Sequence, residues 1–232
     1  MDSLRGIISD LHVFLYGGMR TLPITLAGAM LILGLFTANY AMMFFLAGFL
    51  IVTPIAAGIL NTIADFLVAK FDFDFLKSKT ADICKVVIPY STMTNPSKVE
   101  NTALLCTTSY AMICFFLGYM MTNAVALYNR PVDDGADPTK VSNRTSHAVL
   151  AIASIIVFGL ITIGFRVYAG CEPTTGIVLG LLLFGGLGLG WYNMLSKPSA
   201  GRLADLFGIS NRILPSSATS DKPIACIVDP NA

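Results

Sequence analysis

The residue types able to do chemistry are few in this chain, and their spacing restricts what they can do. Asp133, Asp134 and Asp137 cluster as DDGADP, and aspartates of this kind can hold a divalent cation beside a membrane. Gly135 and Pro138 make the same segment a turn, and no second acidic cluster faces it, so a solvated turn is the expectation. His12 and His147 are the two histidines, and neither sits in an HExxH or Cys-x-x-Cys setting. No metal and no other cofactor is therefore expected. No nucleophile has a base and a third orienting group at a recognisable spacing, so the chain is expected not to be an enzyme.

The five cysteines are Cys84, Cys106, Cys114, Cys171 and Cys226. Cys106 and Cys114 lie about two turns apart on one helix and read as small packing residues. Cys84 and Cys171 fall on one face of the topology below and could form a disulfide, but only if that face is oxidising. The glycines of GLLLFGGLGLGWYN (180–193) raise the question of a phosphate loop. A dinucleotide fingerprint needs G-x-G-x-x-G between a strand and a helix. From Gly186 the spacing is G-x-G-x-G, with Trp191 where the last glycine should stand. Gly176/Gly180 and Gly186/Gly190 instead have the G-x-x-x-G spacing that lets helices approach closely in lipid, with Trp191-Tyr192 as an interface belt.

The elements that would position these residues are membrane helices. The chain has 232 residues, 55% of them hydrophobic and only 12% charged. Residues 21–64, 101–129, 145–165 and 173–196 carry no acid, lysine or arginine. A bilayer core needs roughly 20 apolar residues per helix. The fold class is thus all-α: a polytopic membrane protein with about five transmembrane helices near 22–38, 42–64, 104–127, 147–165 and 175–195. A re-entrant first window would leave four. The first window divides at Thr37-Ala38-Asn39-Tyr40, where Asn39 and Tyr40 suit a tight turn.

Residues 1–20 are expected to form an amphipathic interfacial helix, broken by Gly17-Gly18, with Pro23 in the first turn of the next. Residues 21–196 make the transmembrane domain. Residues 197–232 make a polar tail in which Leu203, Leu206, Phe207 and Ile213 line a second amphipathic helix. Pro54 is expected to kink the second span. KFDFDFLKSK alternates as a short strand or interface-hugging segment, and Asn95-Pro96 or Ser97–Glu100 starts a helix outside the lipid. No cleavable signal peptide and no lipidation motif is expected.

The span interiors contain no acid or base by this placement, with Asp65, His147 and Arg166 at their ends. A proton- or ion-coupled carrier needs such groups. Asn61, Thr107, Thr108, Ser109 and Asn123 could line a pore, but read more simply as polar glue between helices. Net charge is +1, giving no nucleic-acid footprint. Lys and Arg number eight on the face of the N-terminus, 65–101 and 166–172, and seven on the other. Five of the eight lie in one connection, which makes that face the expected cytoplasmic one. Asn143-Arg144-Thr145 is a glycosylation sequon set almost on the membrane surface.

Two segments, RLADLFGISNRILPSSATSDKPIACI from Arg202 and NPSKVENTALLCTTSYAMICFFLGYMMTNA (95–124), resemble parts of multi-span membrane proteins of large icosahedral double-stranded DNA viruses, the nucleocytoplasmic large DNA viruses of algae and protists. The resemblance implies a capsid-associated structural protein of the virion's internal membrane and offers no catalytic residues. The expected function is a non-enzymatic membrane protein that packs as a homo-oligomer or with other membrane or capsid proteins. A small channel or carrier is the alternative.

Overall fold

A computed structural model describes residues 2–71, 105–132 and 138–197, together with Leu203, Ala204 and Leu206; residues 2–16, Met19 and Arg20 are described as backbone. The regular structure among the described residues is all helix: α1 (Asp2–Phe36), α2 (Tyr40–Ala47), a π-helical turn (Gly48–Val52), α3 (Thr53–Phe71), α4 (Thr108–Tyr128), α5 (Pro138–Tyr168) and α6 (Thr174–Leu195). The acidic run 133–137, the Phe71–Lys79 alternation beyond Phe71, the helix starts at 95–100, the tail helix beyond Leu206, Cys84, Cys226 and the side chain of His12 lie outside the described residues.

Four helices are long and apolar enough to cross a bilayer: Tyr40–Phe71, Thr108–Tyr128, Pro138–Tyr168 and Thr174–Leu195. A shorter apolar stretch, Thr21–Phe36, completes α1. Thr108–Tyr128 alone spans ~32 Å, enough for a hydrocarbon core. The chain is a polytopic helical integral membrane protein.

α1 differs from its sequence expectation. It runs unbroken through Gly17 and Gly18, so residues 2–20 and the first apolar stretch are one helix. Each glycine weakens a helix by roughly 1 kcal/mol relative to alanine. Propagation from both sides carries the helix across, and the Thr21 hydroxyl donates back to the Gly17 and Gly18 carbonyls. Pro23 is accordingly an interior proline rather than a first-turn one.

The turn at 37–39 is where the sequence places it. Ala38 takes a left-handed conformation (φ 47°), the Asn39 amide donates to the Gly34 carbonyl, and the Asn39 side chain caps α2 by accepting from the Ala41 amide at 3.0 Å. Pro54 follows a π-helical turn. It has no amide to give the Leu50 carbonyl, and just before it both the backbone amide and the hydroxyl of Thr53 donate to the Gly48 carbonyl.

α4 is the axis of the bundle. Its sequence is apolar on every side, which suits a helix surrounded by others. Ser109 through Leu117 are all buried, and α6 packs on it most extensively, followed by α5 and α3. An aromatic cluster fills the space between α2, α4 and α6. Phe45 lies 5.0 Å from Tyr119, 5.5 Å from Phe49 and 5.9 Å from Phe115, centroid to centroid, and Tyr119 meets Tyr192 edge-on at 5.4 Å. Tyr192 is thus a core residue rather than part of an interface belt. Trp191 is half-buried, and its indole donates to the Phe44 carbonyl at 3.1 Å. It sits in a notch that only Gly48 leaves open, since a Cβ there would fall 2.6 Å from the indole nitrogen. Ala204 and Leu206 are also buried in this core, and the Tyr119 hydroxyl donates to the Ala204 carbonyl at 2.9 Å.

Candidate functional site

The groups with chemical potential converge at one end of the bundle, where α5 stops and α4 starts. α5 ends in a Schellman arrangement: Gly170 adopts φ 64°, the Gly170 amide donates to Val167 and the Cys171 amide reaches back to the Arg166 carbonyl at 2.9 Å. This reversal turns Glu172 back against the last turn of α5. Arg166 and Glu172 meet at 3.3 Å with side chains 5% and 1% exposed.

Thr107 connects them. It is the N-cap of α4, its hydroxyl accepting from the Tyr110 amide at 3.2 Å. The same oxygen accepts from Arg166 Nη2 at 2.7 Å and donates to Glu172 Oε1. One donor and two acceptor positions are all a hydroxyl has, so Thr107 is fully used. Its backbone amide donates to Glu172 Oε2 at 3.0 Å, placing a carboxylate at the positive end of α4. Arg166 Nη1 reaches the Ser109 hydroxyl at 3.5 Å, and its guanidinium lies 5.6 Å from the Tyr110 ring centre. The Tyr110 hydroxyl continues the chain of contacts to the Ile177 carbonyl of α6 at 2.9 Å. Burial pushes the Glu172 carboxyl above the ordinary carboxylate range, opposed by Arg166 and by the donors of Thr107.

A second polar contact lies beside this cluster. Asn61 of α3 donates to the Cys106 carbonyl at 3.1 Å and accepts from the Leu105 amide at 3.1 Å. The segment entering α4 is therefore held from α3 by Asn61 and from α5 by Arg166. Thr107, Ser109 and Asn61 are glue between helices in this arrangement. Asn123 is buried elsewhere in α4, and its Nδ2 has no hydrogen-bond partner.

Several sequence expectations change here. Arg166 is not beyond a span end but in the last turn of α5, directed inward. Asp65 and Lys70 lie within α3, which continues to Phe71. α3 thus carries Asp65 and Lys70 before its end, and α5 carries Arg166 in its last turn. Span ends read from apolar windows stop at the first charge, whereas a helix continues through it. The pattern Arg166…Gly170…Glu172, a helix C-terminus with an acid two residues past the glycine, is the signal that could have found the pair.

The four packing glycines divide between two faces. Gly176 and Gly180 lie against α4, where a Cβ would collide with the Leu105 carbonyl and with the Tyr110 ring respectively. Gly188 does the same against the Phe115 carbonyl, and Gly118 of α4 against the backbone of Gly185. Gly186 and Gly190 have nothing within 4 Å of a Cβ. At 100° per residue, Gly186 stands ~200° round from Phe184, which is on the buried stripe. His147 is exposed on α5. Cys106 and Cys114 are free and buried, whereas Cys171 is disulfide-bonded. Among the described residues no three His, Cys, Asp or Glu side chains gather at a point that could hold a metal ion.

Comparison with known proteins adds no relative: no family model, no curated protein and no solved structure matches the chain.

Proposed function

We propose that this is a structural, non-catalytic membrane protein that packs with copies of itself or with other membrane or capsid proteins, in the internal membrane of a virion. The observation that carries the reading is the polar cluster. Arg166, Glu172 and Thr107 bond to one another and Tyr110 to the Ile177 carbonyl, tying α4, α5 and α6 together at one end, with only Arg166 Nε of the guanidinium left unpartnered. Ionic chemistry used this way stiffens a bundle and leaves its outward faces for lipid and neighbours. Those faces are strongly apolar: Leu182, Leu183 and Leu189 on α6 and Ile32, Leu35 and Phe36 on α1 are exposed. The test is chemical cross-linking in native membranes and in purified virions, followed by identification of the linked chains. Multimers or links to capsid and membrane proteins are expected. A dispersed monomer, absent from virions, would end the proposal.

A small channel or carrier is the second reading, favoured by one observation: a buried guanidinium–carboxylate pair at the end of the bundle, since buried ionisable groups in membrane proteins often mark function. Flux of ions and small solutes into liposomes, compared for the native chain and Asn123→Leu, separates the two. No flux for any solute removes the second reading, and flux lost in the variant removes the first.

A further inference from the structure

We infer that the end of the bundle carrying the Arg166–Glu172 pair faces an oxidising compartment, and that the disulfide at Cys171 braces the turn that presents Glu172. Three observations meet at this point. Cys171 is disulfide-bonded and buried, while Cys106 and Cys114 are free. Thr107 contacts Glu172, so the start of α4 and the α5–α6 turn share one end of the molecule. Cys84 and Cys226, the remaining cysteines of the sequence, lie outside the described residues.

Bond formation removes two protons and two electrons from two thiols. They pass by exchange to an oxidised dithiol carrier of the compartment, which leaves as its dithiol. Such bonds persist where the compartment is oxidising and are rare in the cytosol. Charge does not decide against this orientation. The sequence-based count of Lys and Arg is nearly even between the two faces, eight against seven, and Arg166 is paired with Glu172. The disulfide thus reverses the sidedness that the crowding of lysines in 65–101 suggested. It also places the Asn143 sequon, near the start of α5, on the reducing side.

Cys171 immediately precedes Glu172 and follows Gly170, the residue whose left-handed backbone reverses the chain. Tethering it limits the alternatives of a three-residue reversal whose product is the buried ion pair.

The experiment uses the full chain inserted into sealed membranes derived from the endoplasmic reticulum. The protein is denatured, free thiols are blocked, the protein is reduced, and newly released thiols are labelled and mapped. Cys171 and one of the two cysteines outside the described residues are expected in the released set, and Cys106 and Cys114 in the first-blocked set. Cys171 in the first-blocked set overturns the inference. Orientation is read separately from Tyr168→Cys, a position 81% exposed at the end of α5, and from Lys197→Cys, exposed after α6. An impermeant maleimide is expected to label Lys197→Cys in sealed membranes and Tyr168→Cys only after permeabilisation. The opposite pattern overturns the compartment assignment. Bracing is read from Cys171→Ser, for which Tm is expected to fall by roughly 4–16 °C. An unchanged Tm overturns the bracing role.

Discussion

Arg166 is the residue whose role depends most on its surroundings. A basic residue in a helix's last turn would normally extend toward water, along the favourable direction of the helix dipole. Here it turns inward because three acceptors wait there: Glu172, Thr107 and Ser109. Removing one member of a buried pair strands the other, at a cost of about 3–5 kcal/mol. Arg166→Met is therefore expected to destabilise the protein by about that amount in detergent unfolding. Adding Glu172→Gln should recover part of the loss, because the stranded carboxylate disappears while Thr107 keeps an acceptor. Equal stability of single and double variants would show that the two side chains are not coupled. The sequence offered only the spacing Arg166…Gly170…Glu172 as a sign of this pair. Arg166 and Glu172 are visible as types, but the inward turn needs the reversal at Gly170 and the arrival of α4, both consequences of tertiary packing.

Among the elements, α6 separates what spacing can reveal from what it cannot. Its glycines are dense enough for G-x-x-x-G spacing to be found in more than one register. The register that meets α4 is Gly176, Gly180, Phe184 and Gly188. Spacing alone does not say which side of a helix a neighbour occupies, so Gly186/Gly190 read as well as Gly176/Gly180. Gly188→Ala forces a methyl into the Phe115 carbonyl and should destabilise by about 1–3 kcal/mol or more. Gly186→Leu should leave the stability of the isolated chain within about 0.5 kcal/mol, since nothing lies within 4 Å. Thermal unfolding of both variants in the same detergent checks the contrast, and equal losses would place both glycines on buried faces. The turn at Asn39 was legible, because it is a local matter of backbone chemistry. The continuity of α1 through Gly17-Gly18 was not, because cooperativity along a long helix outweighs two weak residues.

The whole molecule is built outward from α4, and its stability should be graded in the same way. α4 is enclosed by α6, α5 and α3, whereas α1 leans mainly on α2 and shows a run of exposed apolar side chains from Leu31 to Phe36. Local opening is easiest where few buried contacts must break. Hydrogen exchange in micelles should accordingly find the amides of α4 the slowest and those of α1 the fastest. Uniform protection would show that the helices open as one unit. The membrane class itself was plain from four uncharged windows, since a bilayer imposes its length on every helix. The order of packing was not, because lipid and protein present similar apolar surroundings to a helix face.

The π-helical turn at Gly48–Val52 has one more consequence. A wider turn holds one extra residue, so the two halves of Tyr40–Phe71 are out of phase by about 100° relative to a uniform α-helix. Phe45 and Phe49 face the aromatic cluster on one phase, and Asn61 reaches Leu105 and Cys106 on the other. Residue count in this segment is thus part of the design: shortening it by one would turn either the aromatic half or the asparagine half toward lipid.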